Sequence, residues 1–264
     1  MIAAPPARSR SPRSCTRRAF TLVELLVVIA IIALLIGILL PSLASSRQAT
    51  RNVVCMSRLQ QLGVGVSMYL DENKGCLPQL AIDLGGKSAI IGALFGGKRG
   101  TLPAFGINVY GAERRPLNRY LSLGAVPDDD EPGNFELEAF RSPADRGGVV
   151  PGFGRVPSFY DLLGASYTLN DHALDSESRA TLVPSGGGKM PPIDNPSKTW
   201  VLGSHPIYNF QTGEDRGLVD WYGPRTVRAT LLFADFHVGG PFTVPPGVEN
   251  TTPEFRFLPR ENWP

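Results

Sequence analysis

The chain has 264 residues and a formal net charge of +2. That length suits one membrane helix plus one globular domain with a core of useful size, and so small a positive excess leaves no electrostatic footprint for nucleic acid. Glycine (29) and proline (24) exceed their usual share and lie mostly beyond residue 74, so the distal part is expected to be loop-rich with short strands; its apolar and aromatic content excludes disorder.

Residues 1–19 form a Pro/Arg/Ser-rich leader without hydrophobic pattern, read as processed or disordered. It holds five arginines, Arg8, Arg10, Arg13, Arg17 and Arg18, and no acid. The remainder is slightly acidic. Basic residues beside an apolar run keep that end cytoplasmic, so everything after the run is expected on the far side of the membrane, in a periplasmic or extracellular space.

From Leu25 to Leu40 no side chain is polar. Counted from Phe20, the run reaches Leu40 and can cross a hydrocarbon core of about 30 Å as a helix. A buried core helix would need equally apolar neighbours, and nothing later in the chain supplies them. Ser42-Leu43-Ala44 resembles a secretory cleavage site, but the run exceeds the usual signal core of about 7–15 residues. It also contains Glu24. A charge at membrane depth is disfavoured by roughly 2.5–3.5 kcal/mol on insertion scales, so it normally has a partner and a purpose.

Pro41 is expected to kink the helix rather than end it. Beyond it, Ala49, Val53, Met56, Leu59, Leu62, Val66 and Tyr69 recur at spacings of three and four, which predicts an amphipathic stripe. Gly63 and Gly65 cost ~1 kcal/mol each inside a helix, a cost that close approach of a sheet would explain. Asn73-Lys74-Gly75 reads as a helix stop. A helix from Thr21 to Asn73 would be roughly 80 Å long. The expected organisation is a leader at 1–19, a membrane segment at 20–41, an amphipathic extension at 42–75 and a β-rich globular domain at 76–264.

In that domain Ile107–Tyr110, Ala165–Leu169, Thr199–Leu202 and Ala229–Ala234 read as strands, with Phe236–Val238 continuing the last as a hairpin or a bend. Asp128–Glu131 reads as an acidic surface loop, and Ser185–Lys189 as a flexible one. Of the cysteines, Cys15 lies in the leader, leaving Cys55 and Cys76. A helix from Cys55 to about residue 73 rises roughly 27 Å, whereas a disulfide needs Cα atoms within about 7 Å. Free thiols or a pairing between subunits are expected.

Ala19-Phe20-Thr21-Leu22-Val23-Glu24, between basic leader and apolar run, resembles the class III signal of type IV pilins and type II secretion pseudopilins. The resemblance covers about 30 residues. It implies an α+β, pilin-like fold: a long N-terminal helix packed on a small antiparallel sheet in a loop-rich domain. It also implies cleavage by a prepilin peptidase between Ala19 and Phe20 and N-methylation of Phe20. Pro41 falls where many pilins carry proline. The residue before the cut is usually Gly in the family and is Ala19 here.

A second resemblance, on Cys55–Gly63, Met68-Tyr69, Asn73-Lys74-Gly75 and Leu77-Pro78, is to a large group of bacterial pseudopilin-like proteins. These often carry Cys-Pro-x-Asp and a late Phe-Ala-Asp-Gly-His. Here the counterparts are Ser142-Pro143-Ala144-Asp145 and Phe233-Ala234-Asp235-Phe236-His237, so the disulfide or tight turn implied by the group is expected to be absent.

The chemistry suits assembly. An amine at Phe20 and the Glu24 carboxylate stand four residues apart, and opposite charges gain far more from pairing in lipid than in water. Glu24 is therefore expected to meet the amine of an adjoining subunit. The implied partners are the peptidase, other pilin or pseudopilin subunits and an inner-membrane assembly platform; no nucleic acid and no cofactor is expected.

Other segments carry weaker signals. Gly92–Lys98 has the spacing of a phosphate-binding loop, but Arg99 stands where Ser or Thr must hold Mg²⁺, and it reads as a basic turn. Asp235 and His237 are the candidate metal ligands, with His172 or His205 nearby, but their spacing matches no metal motif and no metal is expected. The resemblance extends to major pseudopilins that bind calcium through carboxylates and carbonyls, a pattern this pair does not show. Ser204-His205 lacks a nucleophile elbow, so no enzyme is expected. Phe153, Phe159, Tyr160, Tyr208, Phe210, Trp221 and Tyr222 fill a core or line a ligand groove. The expected function is a pseudopilin or minor pilin of a type II secretion or type IV pilus-like filament, anchored by one pass in the inner membrane. The alternative is a pilin-stem-anchored, adhesin-like binding module with recognition loops around 85–105, 127–160 and 176–195.

Overall fold

The computed structural model describes residues 21–122, 124–129, 135–173, 181–184, 188–211, 218–223, 225–247 and 251–260. The chain divides into two compact units at Ser46/Arg47. One long helix, α1, runs from Leu22 to Glu72. In the first unit its apolar side chains from Leu22 to Leu40 are exposed. Pro41 sits inside the helix without ending it. A proline there removes one helix N–H, and the neighbouring hydroxyls turn back on the ladder: Ser42 donates to the Leu39 carbonyl at 2.9 Å, Ser46 to the Ser42 carbonyl at 3.0 Å.

In the second unit α1 buries Cys55, Leu59, Leu62, Gly63, Gly65 and Val66. The expected stripe is right from Leu59 onward and out of phase before it. Val53 is 65% exposed and Ala49 is also exposed, while Cys55 is fully buried. At 100° per residue, Val53 lies nearly opposite Cys55, and a thiol packs as a small hydrophobe. The helix stops as expected. Lys74 takes φ 55°, Gly75 takes φ 80°, and the Gly75 N–H returns to the Leu70 carbonyl at 2.9 Å, the six-to-one bond of a Schellman end.

Beyond α1 come β1 (Ala81–Asp83), β2 (Ser88–Ile90), a short helix α2 (Asn118–Leu121), β3 (Gly148–Val150), β4 (Gly154–Val156), a capped turn of helix α3 (Phe159–Leu163), β5 (Tyr167–Leu169), β6 (Trp200–Ser204), β7 (Arg228–Phe233) and β8 (Val238–Thr243). β1–β2 and β3–β4 are separate hairpins; β5-β6-β7-β8 is a four-stranded antiparallel sheet. This is the expected α+β, loop-rich architecture. β6 is buried throughout, and Leu59, Leu62 and Val66 share a core with Tyr167, Leu169, Leu202 and Leu232. Each such side chain contributes roughly 1.5–3 kcal/mol by leaving water.

The two helix glycines have steric reasons. A Cβ on Gly63 would lie 2.9 Å from Leu232 Cδ1, so the sheet does approach there. At Gly65 the close neighbour is Leu121, 3.1 Å from a Cβ, so that contact is with α2 and not with the sheet.

Three sequence expectations are corrected. Ile107–Tyr110 is a turn, because Phe105 and Gly106 take φ 54° and 70° and the Ile107 and Val109 N–H groups bond back to Ala104 and Gly106 at 3.0 Å. Asp129 is no surface residue: it is 7% exposed, and its carboxylate accepts from the Gly111 and Glu113 N–H groups at 3.0 and 3.1 Å. The tight turn after β7 persists without glycine. Phe236 takes φ 66°, and its N–H bonds the Phe233 carbonyl at 2.9 Å. Of the expected loops, residues 130 and 131 of Asp128–Glu131 and residues 185–187 of Ser185–Lys189 lie outside the described residues.

Asp145 organises the centre of the second unit. Its carboxylate accepts from the N–H groups of Gly147, Phe159 and Tyr160 at 2.9, 3.1 and 2.8 Å and from the Ser166 hydroxyl at 2.7 Å. It thereby pins the start of α3, where Ser158 caps the Asp161 N–H at 3.2 Å.

Candidate functional site

Thr21 and Glu24 are tied to each other at the start of α1. The Thr21 hydroxyl accepts from the Glu24 N–H at 3.2 Å, and Glu24 Oε2 accepts from the Thr21 N–H at 2.8 Å and the Thr21 hydroxyl at 2.9 Å. This reciprocal pair is a capping box, which satisfies two of the donors that a helix start leaves open. Among the described residues the hydrogen bonds to the carboxylate fall on Oε2. The Thr-x-x-Glu spacing is legible in the sequence, and its capping role went unread because the acid was assigned wholly to assembly.

Glu24 is the only charged residue from Thr21 to Ser46. It stands at the head of a helix whose most apolar stretch is wholly unburied. By length and composition that helix can cross a membrane. Ala19 and Phe20, the expected cleavage and methylation residues, lie outside the described residues. Residues 15–40 match the family model of the prokaryotic N-terminal methylation motif. This is the signature of type IV pilins and pseudopilins. The motif implies processing by a peptidase and assembly into pilin-type filaments, and with the apolar helix it suggests membrane anchoring. No curated protein and no solved structure matches the chain.

The other candidate residues serve packing and local bonding in the pilin-like domain. In Gly92–Lys98 the lysine is neutralised, with Nζ 2.7 Å from Glu136 and 2.8 Å from Asp161. Bonds to the two acids raise the Lys98 pKa against the opposing effect of burial. The glycines answer sterics: a Cβ on Gly96 would enter the Phe140 ring, and one on Gly97 would lie 2.1 Å from the Gly164 carbonyl oxygen.

Asp235 and His237 do meet, Oδ1 to Nδ1 at 2.6 Å, on an exposed turn where the imidazole stacks on Phe233 at 4.3 Å. Burial works to raise the Asp235 pKa, yet the bonds from His237 bring it below its ordinary value. Neither His172 nor His205 joins the pair as a described ligand set, and among the described residues no three His, Cys, Asp or Glu side chains gather to hold a metal. Ser204 is buried, and its Oγ accepts from the Thr230 N–H at 3.0 Å. His205 stacks on Phe159 at 3.8 Å.

Phe159, Tyr160, Trp221 and Tyr222 are core residues, and Phe210 packs partly buried against Phe257, with ring centroids 4.6 Å apart. Phe153, Phe159 and Tyr208 line a cleft of about 390 Å³ together with Asp171, which the sequence did not single out. Nothing in the spacing around Asp171 marks it, because its partners, Gly92 and Tyr208, are distant in sequence.

Proposed function

We propose that this chain is a pseudopilin or minor pilin, a non-enzymatic structural subunit of a type II secretion or type IV pilus-like filament. A prepilin peptidase cuts between Ala19 and Phe20, and Phe20 carries the N-methylated amine. Before assembly the helix spans the inner membrane once, with the arginine-rich end cytoplasmic and the residues after the helix on the periplasmic side. The single observation that carries this reading is Glu24, the lone charge at the head of an exposed apolar helix, within a matched methylation motif.

The bonding of Glu24 supports a division of labour. Oε2 caps its own helix through Thr21, while Oε1 meets the Phe20 amine of an adjoining subunit. That ion pair, formed in a low-dielectric bundle, fixes the axial register, and the Leu, Ile and Val side chains supply the packing. The inner-membrane assembly platform is where the subunit leaves the bilayer.

Substitution separates the cap from the charge. Glu24→Gln keeps a side chain able to close the capping box but removes the charge; Glu24→Ala removes both. Both variants should still reach the membrane fraction, and both should be missing from sheared filaments. Normal incorporation of Glu24→Gln would leave Glu24 as a helix cap and overturn the assembly role.

A further inference from the structure

We propose that the cleft beside Asp171 binds a small organic cation: an ammonium group carried on an aromatic or branched apolar body. The proposal concerns the globular unit and does not rest on the filament reading. The cleft, about 390 Å³, lies in the size range of small-molecule sites. Its walls come from the loop carrying Phe105, the β3–β4 hairpin with Phe153, and Phe159 at the start of α3. Phe105 and Phe153 are 49% and 48% exposed, large apolar rings left open at the rim. Two of the segments expected from sequence to carry recognition, 85–105 and 127–160, thus face one cavity.

The acidic group is held from both sides. Asp171 Oδ2 accepts from the Gly92 N–H at 2.8 Å, and Oδ1 accepts from the Tyr208 hydroxyl at 2.9 Å. Tyr208 is itself fixed by Thr168 Oγ1 at 2.9 Å. The approach of Gly92 is close: a Cβ there would lie 2.4 Å from the Leu169 carbonyl oxygen and 3.0 Å from Asp171 Oδ2. Both bonds favour the ionised carboxylate, and burial opposes them and leaves its pKa above the ordinary carboxylate value.

Among the described residues no Lys or Arg lines the cleft, and Asp171 forms no ion pair with any of them. An ionised carboxylate offers about four acceptor sites, so the bonds from Gly92 and Tyr208 leave room for a further donor. A desolvated acid that no Lys or Arg of the described residues pairs, in a cleft lined by Phe105, Phe153 and Phe159, complements an ammonium on two counts: charge-assisted hydrogen bonds to Asp171, and attraction of the cation to the rings.

The full chain in nanodiscs of zwitterionic lipid, with empty nanodiscs as the blank, is titrated with 2-phenylethylamine, 2-phenylethanol and 3-phenylpropionate. Ligand-observed NMR reads the binding. The amine should bind about tenfold tighter than the alcohol, and the carboxylate weakest of the three. Asp171→Asn should bring the amine to the level of the alcohol without changing the alcohol, while Phe153→Ala weakens both. Equal binding of amine and alcohol by the wild type, preference for the carboxylate, or binding of none of the three would overturn the proposal. So would an unchanged amine affinity in Asp171→Asn. The wild-type comparison of amine and alcohol decides the matter even if the variant does not fold.

Discussion

Ser142→Cys should staple α1 to the globular domain. Cys55 Sγ lies 2.9 Å from Ser142 Oγ, with both residues buried. The resembled group carries Cys where Ser142 stands, and the structure places a helix cysteine directly against that position. The two residues are 87 positions apart. In the chain-entropy account, closing a loop of that size stabilises by about 4.6 kcal/mol. The serine hydroxyl now accepts from the Ala144 N–H at 3.2 Å, and losing that bond costs about 1 kcal/mol. The net gain is roughly 3–4 kcal/mol, or a rise in Tm of roughly 6–16 °C at 2–4 °C per kcal/mol for a domain of this size. The variant is made on a Cys76→Ser background and oxidised. Alkylation under denaturing conditions followed by intact mass counts the remaining thiols, and thermal unfolding with and without reductant reads the gain. If Cys55 and the new cysteine both alkylate without reductant, the placement of α1 against the Ser142 segment is wrong. If the bridge forms and Tm is unmoved, the entropic account fails.

Gly97→Ala should destabilise the domain by about 2–4 kcal/mol, since Gly97 takes φ 93° and a Cβ would collide with the Gly164 carbonyl. Gly124→Ala, outside any helix, without a positive φ and with nothing within 4 Å of the added carbon, serves as the neutral control in urea unfolding. The hydrogen bond and charge of Lys98 hold the Asp161 carboxyl below its ordinary range against a smaller effect of burial. The native state therefore binds protons less readily than the unfolded chain. The contribution of the pair is present above the unfolded carboxylate pKa of about 3.9 and is lost as pH falls through the lower native value. Asp161→Asn should flatten the acid limb of the urea midpoint against pH below about pH 4.5; an acid limb identical to wild type would refute the pairing.

What was legible in the sequence follows from how local each signal is. The apolar run, the methylation motif and the helix stop at Lys74-Gly75 are written in consecutive residues, and the helix and its Schellman end stand where expected. β5, β6 and β7 were also readable as apolar runs between turn residues. Cys55 was missed as a core residue because its burial depends on the phase of α1 against the sheet, which only the packing sets. Ile107–Tyr110 has strand-like residues, yet the positive φ of Phe105 and Gly106 turns the chain. Asp129, Asp145 and Asp171 look alike in sequence. They differ in which remote backbone N–H groups the fold brings to them, and no spacing rule carries that.

The account rests on where the native chain begins once it is in the membrane. Intact mass with N-terminal sequencing of the protein from its own cell envelope reads this directly. The account predicts a start at N-methylated Phe20. A start at Ser45 would make the apolar run a secretory signal, and an uncut, arginine-bearing leader on assembled protein would reduce the helix to a simple tether.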